Sequence, residues 1–257
     1  MNLLFDLGNT ALKWAYLSDP ESPRTLVHAG AHHVSEKMVS MLDGITPGEV
    51  WGCSVASRDL RLSLTRAVHA KGFPVHWLHA QEKYEGRFSL INRYATPSQL
   101  GADRWYAALG ATSFLTNQAL LVVHIGTATT VDSVYPIDED VMVFAGGRIA
   151  PGVVLMRDSL VTGTATLPKA DGDYSEMPTD TMTAIVTGII DCQLGLIERG
   201  MRTLQKMGFE PTLVLAGGAA ARFAPYLMKE FPESILKHNL VLRGLSLIAH
   251  QEARIGP

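Results

Sequence analysis

One local pattern occurs twice in this chain, about 120 residues apart, and it limits the folds available. Leu3-Leu4-Phe5 is a short apolar run that breaks at Asp6-Leu7-Gly8-Asn9-Thr10, after which Leu12-Lys13-Trp14-Ala15-Tyr16-Leu17 resumes a strand-like pattern. Ala119-Leu120-Leu121-Val122-Val123 leads through His124 and Ile125 into Gly126-Thr127-Ala128-Thr129-Thr130-Val131-Asp132, followed by Ser133-Val134-Tyr135. Each reads as strand, polar turn, strand. The doubling predicts two similar halves, although identity between them is too slight to establish a repeat by itself. The expected division is residues 1–115 and 116–257, with the boundary near 112 to 118, where Ala111-Thr112-Ser113 leaves a helix.

Between and beyond these points strands alternate with helices. Val50 to Ala56 reads as a buried strand, Arg58 to Lys71 as a helix ending at Gly72, and Val75 to Leu78 as a strand. Gln99 to Ala111 reads as helical, with Trp105, Ala108 and Leu109 on one face. Thr181 to Met207 is a long helical pattern, Thr212 to Ala216 a strand ending in Gly217-Gly218, and Ala219 to Phe231 a helix. The mixture predicts an α/β fold. Pro168 to Thr179, polar and with two prolines, is expected as a surface loop.

Composition narrows the function classes. The 257 residues are 47% hydrophobic and 18% charged, enough to build a sizeable core. A net charge of -3 gives no general attraction to nucleic acid or an anionic membrane. The N-terminus has no uninterrupted apolar stretch of signal-peptide length, and no later run approaches the roughly 20 apolar residues of a membrane helix. Cys53 and Cys192 make neither a disulfide framework nor a metal-binding spacing, so a cytoplasmic location is expected.

Four glycine turns could approach a ligand closely. At Asp6 to Thr10 a small residue at a tight turn lets backbone N–H groups reach phosphate oxygens, and the Asp6 carboxylate can hold Mg²⁺ directly or through water. The same residues also suit a simple hairpin turn. Gly126 to Asp132 is a second candidate phosphate turn or a Thr-rich edge hairpin, with Asp132 as another carboxylate. Gly146-Gly147-Arg148-Ile149-Ala150-Pro151-Gly152 and Gly217-Gly218-Ala219 are further turns. Taken together, with carboxylates near two of them, they are better explained by a nucleotide cleft between two domains than by unrelated turns.

Asp6-Leu7-Gly8-Asn9-Thr10, Pro97-Ser98-Gln99-Leu100-Gly101-Ala102-Asp103-Arg104-Trp105, Gly126 to Asp132, Gly146 to Gly152 and Gly217-Gly218 occur in the order found in type III pantothenate kinases. Thr164-Ala165-Thr166-Leu167-Pro168 and Leu242-Arg243-Gly244-Leu245 also fit, so the resemblance spans nearly the whole chain. The Leu-Gly-Ala-Asp-Arg block is its most discriminating element. The resemblance implies the acetate and sugar kinase/Hsp70/actin (ribonuclease H-like) fold, with two similar domains, and the phosphorylation of pantothenate by ATP with Mg²⁺, the first step towards coenzyme A.

It also assigns residues. Asp6, Leu7, Gly8, Asn9, Thr10, Ala11, Leu12 and Lys13 match the first ATP-phosphate turn, and Thr127 a second ATP contact. Gly101, Ala102, Asp103 and Arg104 match the pantothenate-contacting block, with Asp103 as proton acceptor; Tyr94 and Thr181 match further substrate positions. A homodimer is implied, with the partner subunit contributing to the pantothenate pocket. Phosphoryl transfer to a primary alcohol needs N–H donors on the phosphates and a base for the hydroxyl proton, and an ionised Asp103 can be that base. Arg104 could balance that charge or bind the pantothenate carboxylate; on residue type alone, Asp103-Arg104 is more often a solvated capping pair at a helix start, and the motif is what favours function. The family often carries an acidic residue two positions before the Gly-Thr of the second turn, associated with K⁺ or NH₄⁺. Here His124 stands there, and imidazole is a poor ligand for ions that prefer oxygen. Some relatives with this motif set have been described as Bvg accessory factors acting in transcriptional activation, which is the alternative function.

Overall fold

A computed structural model describes residues 1–255. In chain order the first elements are β1 (Leu3–Leu7), β2 (Ala11–Tyr16), β3 (Asp19–Val27), α1 (Ala31–Met41), β4 (Val50–Ser54), α2 (Arg58–His69), β5 (Val75–Trp77), β6 (Lys83–Glu85), β7 (Ser89–Asn92) and α3 (Ala102–Thr112). There follow β8 (Leu120–Ile125), β9 (Ala128–Asp138), β10 (Val141–Pro151), α4 (Val153–Gly163), α5 (Thr181–Lys206), β11 (Thr212–Ala216), α6 (Ala220–Glu230), β12 (Ile235–Leu236) and α7 (Leu240–Ile255). Two compact units result: Met1–Thr116 with Ile137–Phe144 and the chain from Asn239 onward, and Asn117–Pro136 with Ala145–His238.

The first unit is built on a sheet of order β3-β2-β1-β4-β5. β1 runs antiparallel to β2 and parallel to β4. A central strand covered on both faces is apolar almost throughout, and in β1 Leu3, Leu4, Phe5 and Leu7 are all fully buried, leaving Asp6 as its polar residue. Because strand side chains alternate faces, Leu3, Phe5 and Leu7 share one side, where they pack with Val34 and Met38 of α1 and Leu60, Leu64 and Val68 of α2. Leu4 and Asp6 take the other side.

On the first unit's other helical layer, α3 and α7 cross at backbone contact. A Cβ on Gly110 would lie 2.1 Å from the Leu240 carbonyl oxygen, and one on Gly244 would lie 2.0 Å from the Tyr106 carbonyl oxygen. The Leu242-Arg243-Gly244-Leu245 motif thus sits inside α7, where its glycine allows that approach. α2 starts on Ser57, whose hydroxyl accepts from the Leu60 N–H at 3.3 Å, and its C-terminal turn closes at Gly72 with φ +83°.

In the second unit β8 and β9 form an antiparallel hairpin, with β11 parallel to β8 and β12 parallel to β11. The strand run β10-β9-β8-β11-β12 repeats the run β3-β2-β1-β4-β5. Leu121, Val123 and Ile125 of β8 pack with Ile189, Ile197 and Met201 of α5 and Phe223 and Leu227 of α6.

Several elements differ from the sequence-based expectation. Gly146 to Pro151 continue β10 rather than forming a turn, and only Gly152 turns the chain into α4. β9 begins at Ala128, so Thr129, Thr130 and Asp132 are buried strand residues, at most 8% exposed. α3 begins at Ala102, after a short 3₁₀ turn at Pro97–Gln99. Prolines 20 and 23 mask β3, which the sheet tolerates because β3 is an edge strand. α5 is, by length and composition, apolar enough to cross a membrane, contrary to expectation, with mean hydropathy 1.3 in its most apolar window. Its apolar content has a packing reason, since Ile185, Val186, Ile189, Ile190, Ile197, Met201 and Leu204 belong to the second unit's core.

Candidate active site

Asp6 is the polar break in β1, and its register places Lys13 across the hairpin on β2 and Cys53 beside it on β4. Cys53 Sγ lies 4.0 Å from Asp6 Oδ1. Burial raises the Asp6 carboxyl to about 6, opposed by Lys13 and reinforced by the negative charge of Asp103. Burial also pushes the Cys53 thiol up, with Asp6 and Asp103 adding to it, so this cysteine stays protonated and unreactive. Asp6, Asp103 and Cys53 therefore form one cluster in the first unit, on the sheet face where α3 packs.

Asp103 stands in the first turn of α3, where the helix dipole favours a carboxylate. Its Oδ1 accepts the Arg104 N–H at 2.8 Å. Burial nevertheless outweighs this bond and the Arg104 charge, and holds the Asp103 carboxyl above its usual range. Gly101 makes the room: a Cβ there would lie 2.8 Å from Asp103 Oδ1. A side chain at this position would push the Asp103 carboxylate out of its place.

Arg104 is only 6% exposed. Its Nη1 donates to the Tyr94 hydroxyl at 2.8 Å, and its guanidinium faces the rings of Tyr94 and Phe144 at 5.7 and 5.8 Å. Tyr94 is held in turn by Asn92, whose Oδ1 accepts the Tyr94 N–H at 3.0 Å while its Nδ2 donates to the Gln81 and Pro97 carbonyls at 3.1 and 3.2 Å. Ala102, at 6% exposed, packs inward. Asn92 and Phe144 escape the sequence analysis because an amide at the end of β7 and an aromatic within β10 carry no signature there; only their structural partners reveal them.

The turn between β1 and β2 is Gly8-Asn9-Thr10, closed by a bond from the Gly8 N–H to the Ala11 carbonyl at 2.9 Å. Leu7 belongs to β1, and Ala11, Leu12 and Lys13 belong to β2, with Leu12 in the core. On one flank Val55 N–H donates to the Leu7 carbonyl at 3.2 Å; on the other His28 N–H donates to the Thr10 carbonyl at 3.1 Å.

The second unit has a corresponding glycine cluster. Thr127 is exposed at the β8–β9 turn, where Gly126 N–H donates to Ala128 at 3.0 Å and Gly152 N–H to the Thr127 carbonyl at 2.9 Å. A Cβ on Gly152 would lie 2.1 Å from the Gly126 oxygen, and one on Gly217, at φ +101°, 2.3 Å from the Ile125 oxygen. Three of the four glycine turns read from the sequence therefore converge on Ile125 to Thr127. Thr181 is exposed at the first position of α5, after Asp180, whose carboxylate caps the helix by accepting the Thr183 N–H at 3.0 Å. Asp132 lies within β9 at 1% exposure, away from any turn.

Paired glycine turns after the first strand of each unit, one carrying a carboxylate, place the chain in the actin, Hsp70 and sugar-kinase fold class. Solved structures share this fold: one from Campylobacter jejuni, described as a Baf family transcriptional activator, matches with TM-score 0.59 and 20% identity over 98% of this chain and 99% of its own. A Sinorhizobium meliloti protein described as a 2-dehydro-3-deoxygalactonokinase matches with TM-score 0.56 and 11% identity over 98% and 99%. The type III pantothenate kinase family matches residues 2–203. Type III pantothenate kinase of Aromatoleum aromaticum is 38% identical over 98% of this chain and 99% of its own length, and that of Laribacter hongkongensis 37% over 97% and 98%. The chain belongs to the type III pantothenate kinase family.

Proposed function

We propose that this protein transfers the γ-phosphoryl group of ATP to the primary hydroxyl of pantothenate, giving ADP and 4′-phosphopantothenate. The observation that carries the reading is the pairing of Asp6 with Asp103 in one buried cluster, each carboxyl raised by burial, in a chain of this family. Asp103 takes the proton of the attacking hydroxyl. Burial raises its pKa, which makes the carboxylate a stronger proton acceptor.

Arg104, buried and braced by Tyr94, offers a guanidinium fork of the shape that a carboxylate binds, and pantothenate ends in a carboxylate. Gly101 and Ala102 are further pantothenate contacts beside it, and Thr181, in the second unit, is a separate substrate contact. In the first unit the Gly8 to Thr10 turn and Lys13 are ATP-phosphate contacts; in the second unit Thr127 is a separate ATP contact. No group of three or more metal-binding side chains exists among the described residues. That donor set fits Mg²⁺, which is held by phosphates, waters and one or two carboxylates rather than by an all-protein cage. Asp6 would hold it, directly or through water. When bound, Mg²⁺ neutralises charge on the transferring phosphate. His124 offers no oxygen in its side chain, so either activity depends weakly on K⁺ or NH₄⁺ or the ion is held by other oxygens such as backbone carbonyls.

The enzyme acts in the cytoplasm as a homodimer. The support for a dimer is α4, an apolar helix with no buried residue, on which Val154, Leu155 and Val161 are 55%, 45% and 37% exposed. The test of the activity is ADP release by purified protein with ATP and Mg²⁺, with and without pantothenate. Release only with pantothenate supports the reading, and equal release without it refutes the reading.

A further inference from the structure

We infer that His28 is a positioning residue for ATP, acting through the Gly8 to Thr10 turn; the inference rests on the reading of that turn as a phosphate site. His28 directly follows β3 and is 8% exposed. It grips the turn at two points: its backbone N–H donates to the Thr10 carbonyl at 3.1 Å, and its ring Nε2 lies 3.2 Å from the Gly8 carbonyl oxygen. A carbonyl only accepts, so Nε2 carries the proton in this contact, which fixes the tautomer.

Nδ1 is then the bare ring nitrogen, and it is buried with no hydrogen-bond partner. An orphaned buried acceptor is a cost that an apolar side chain of similar size would avoid. Packing alone therefore does not explain an imidazole here. What it adds is one donor aimed at Gly8.

That donor matters because Gly8 is the soft point of the turn. Glycine has more conformational freedom than any other residue, so the peptide between Gly8 and Asn9 is the one most able to rotate. In a planar trans peptide the carbonyl and the following N–H point in opposite directions. Holding the Gly8 carbonyl towards His28 therefore holds the Asn9 N–H away from it. Val55 fixes the preceding peptide by its bond to the Leu7 carbonyl, and Asn9 Nδ2 reaches the Val55 carbonyl at 3.5 Å. The loop is thus clamped from β3 on one side and from the end of β4 on the other. Donors fixed before the anion arrives bind it without a reorganisation cost.

The test compares His28→Leu, which fills the space without a donor, with His28→Gln, whose amide can reach the Gly8 carbonyl, and His28→Asn, which is a methylene too short. With the full-length protein, His28→Leu and His28→Asn are expected to raise KM for ATP about tenfold, the loss of one hydrogen bond's worth of ordering, and to leave KM for pantothenate within about twofold. His28→Gln is expected to restore KM for ATP to within about threefold of wild type. The rise in melting temperature caused by ATP should shrink in Leu and Asn and return in Gln. Unchanged KM for ATP in both Leu and Asn overturns the inference, as does an equal rise in both KM values that Gln does not reverse, which would mark a structural role. Should Leu not fold, the Asn and Gln pair decides alone. Wild-type protein lacking pantothenate-dependent turnover would instead remove the functional reading, an outcome separate from any His28 result.

Discussion

Arg104 Nη1 donates to the Tyr94 hydroxyl at 2.8 Å, joining the loop after β7 to the first turn of α3. Tyr94→Phe keeps the ring that the guanidinium faces and removes the acceptor. A hydrogen bond to a charged group contributes about 1.5–3 kcal/mol, so KM for pantothenate should rise by about tenfold or more, with kcat and KM for ATP little changed. Steady-state kinetics with each substrate varied checks this. An unchanged KM for pantothenate would show that Arg104 does not need this brace.

Asp6→Asn is expected to separate stability from activity. The folded-state pKa of about 6 lies above the ordinary value of 3.8, so the native state binds this proton more tightly than the unfolded chain. The stabilising contribution is complete below about 3.8 and is lost as pH rises through about 6. Asparagine removes the charged form, so without nucleotide the mutant should melt several degrees higher than wild type at pH 8 and no higher at pH 4. Its turnover should fall and its ATP requirement rise. Melting curves at the two pH values give the sign directly.

Gly244→Ala addresses the seat of α3. Its Cβ would lie 2.0 Å from the Tyr106 carbonyl oxygen, so α7 and α3 must move apart. Overpacking of this kind costs about 1–3 kcal/mol and more where backbone must shift. A lower melting temperature with reduced kcat is expected, because α3 carries Asp103 and Arg104. Wild-type stability in Gly244→Ala would mean the helices separate freely.

Much of this was readable from residues alone. The hairpins at Asp6 and Gly126 declare themselves because an apolar strand breaks abruptly at a glycine and resumes. α2 and α5 show by periodic apolar residues, and each ends within two residues of its expected limit. Other elements were hidden by competing effects. β3 gave no strand signal because its edge position admits prolines. Gly146 and Gly147 looked like a turn, but Gly146 at φ +133° is accommodated inside β10. In the site, the carboxylates and the Gly-Ala-Asp-Arg block were legible as residue types in a motif. Phe144 and His28 act through contacts between segments distant in sequence, which no local pattern encodes, and Asn92 acts through bonds to nearby backbone that only the folded loop brings together.

Asp103→Asn retains size and much of the hydrogen bonding and removes the proton acceptor. General-base contributions are about 10²- to 10⁴-fold, so kcat should fall by that factor while folding and ATP binding persist. Because burial raises the Asp103 carboxyl, the acidic limb of the wild-type rate profile should lie above the usual carboxylate range. Near wild-type turnover in Asp103→Asn would pass the role to a water, since Asp132 is buried within a strand.

The most direct test is transfer of label from γ-labelled ATP to pantothenate by the purified full-length protein with Mg²⁺, followed by separation of products. The expected result is label in 4′-phosphopantothenate in amounts equal to the ADP formed, and none with Asp103→Asn over the same interval. Label appearing only as free phosphate, or ADP forming equally without pantothenate, would contradict the assignment of pantothenate as acceptor.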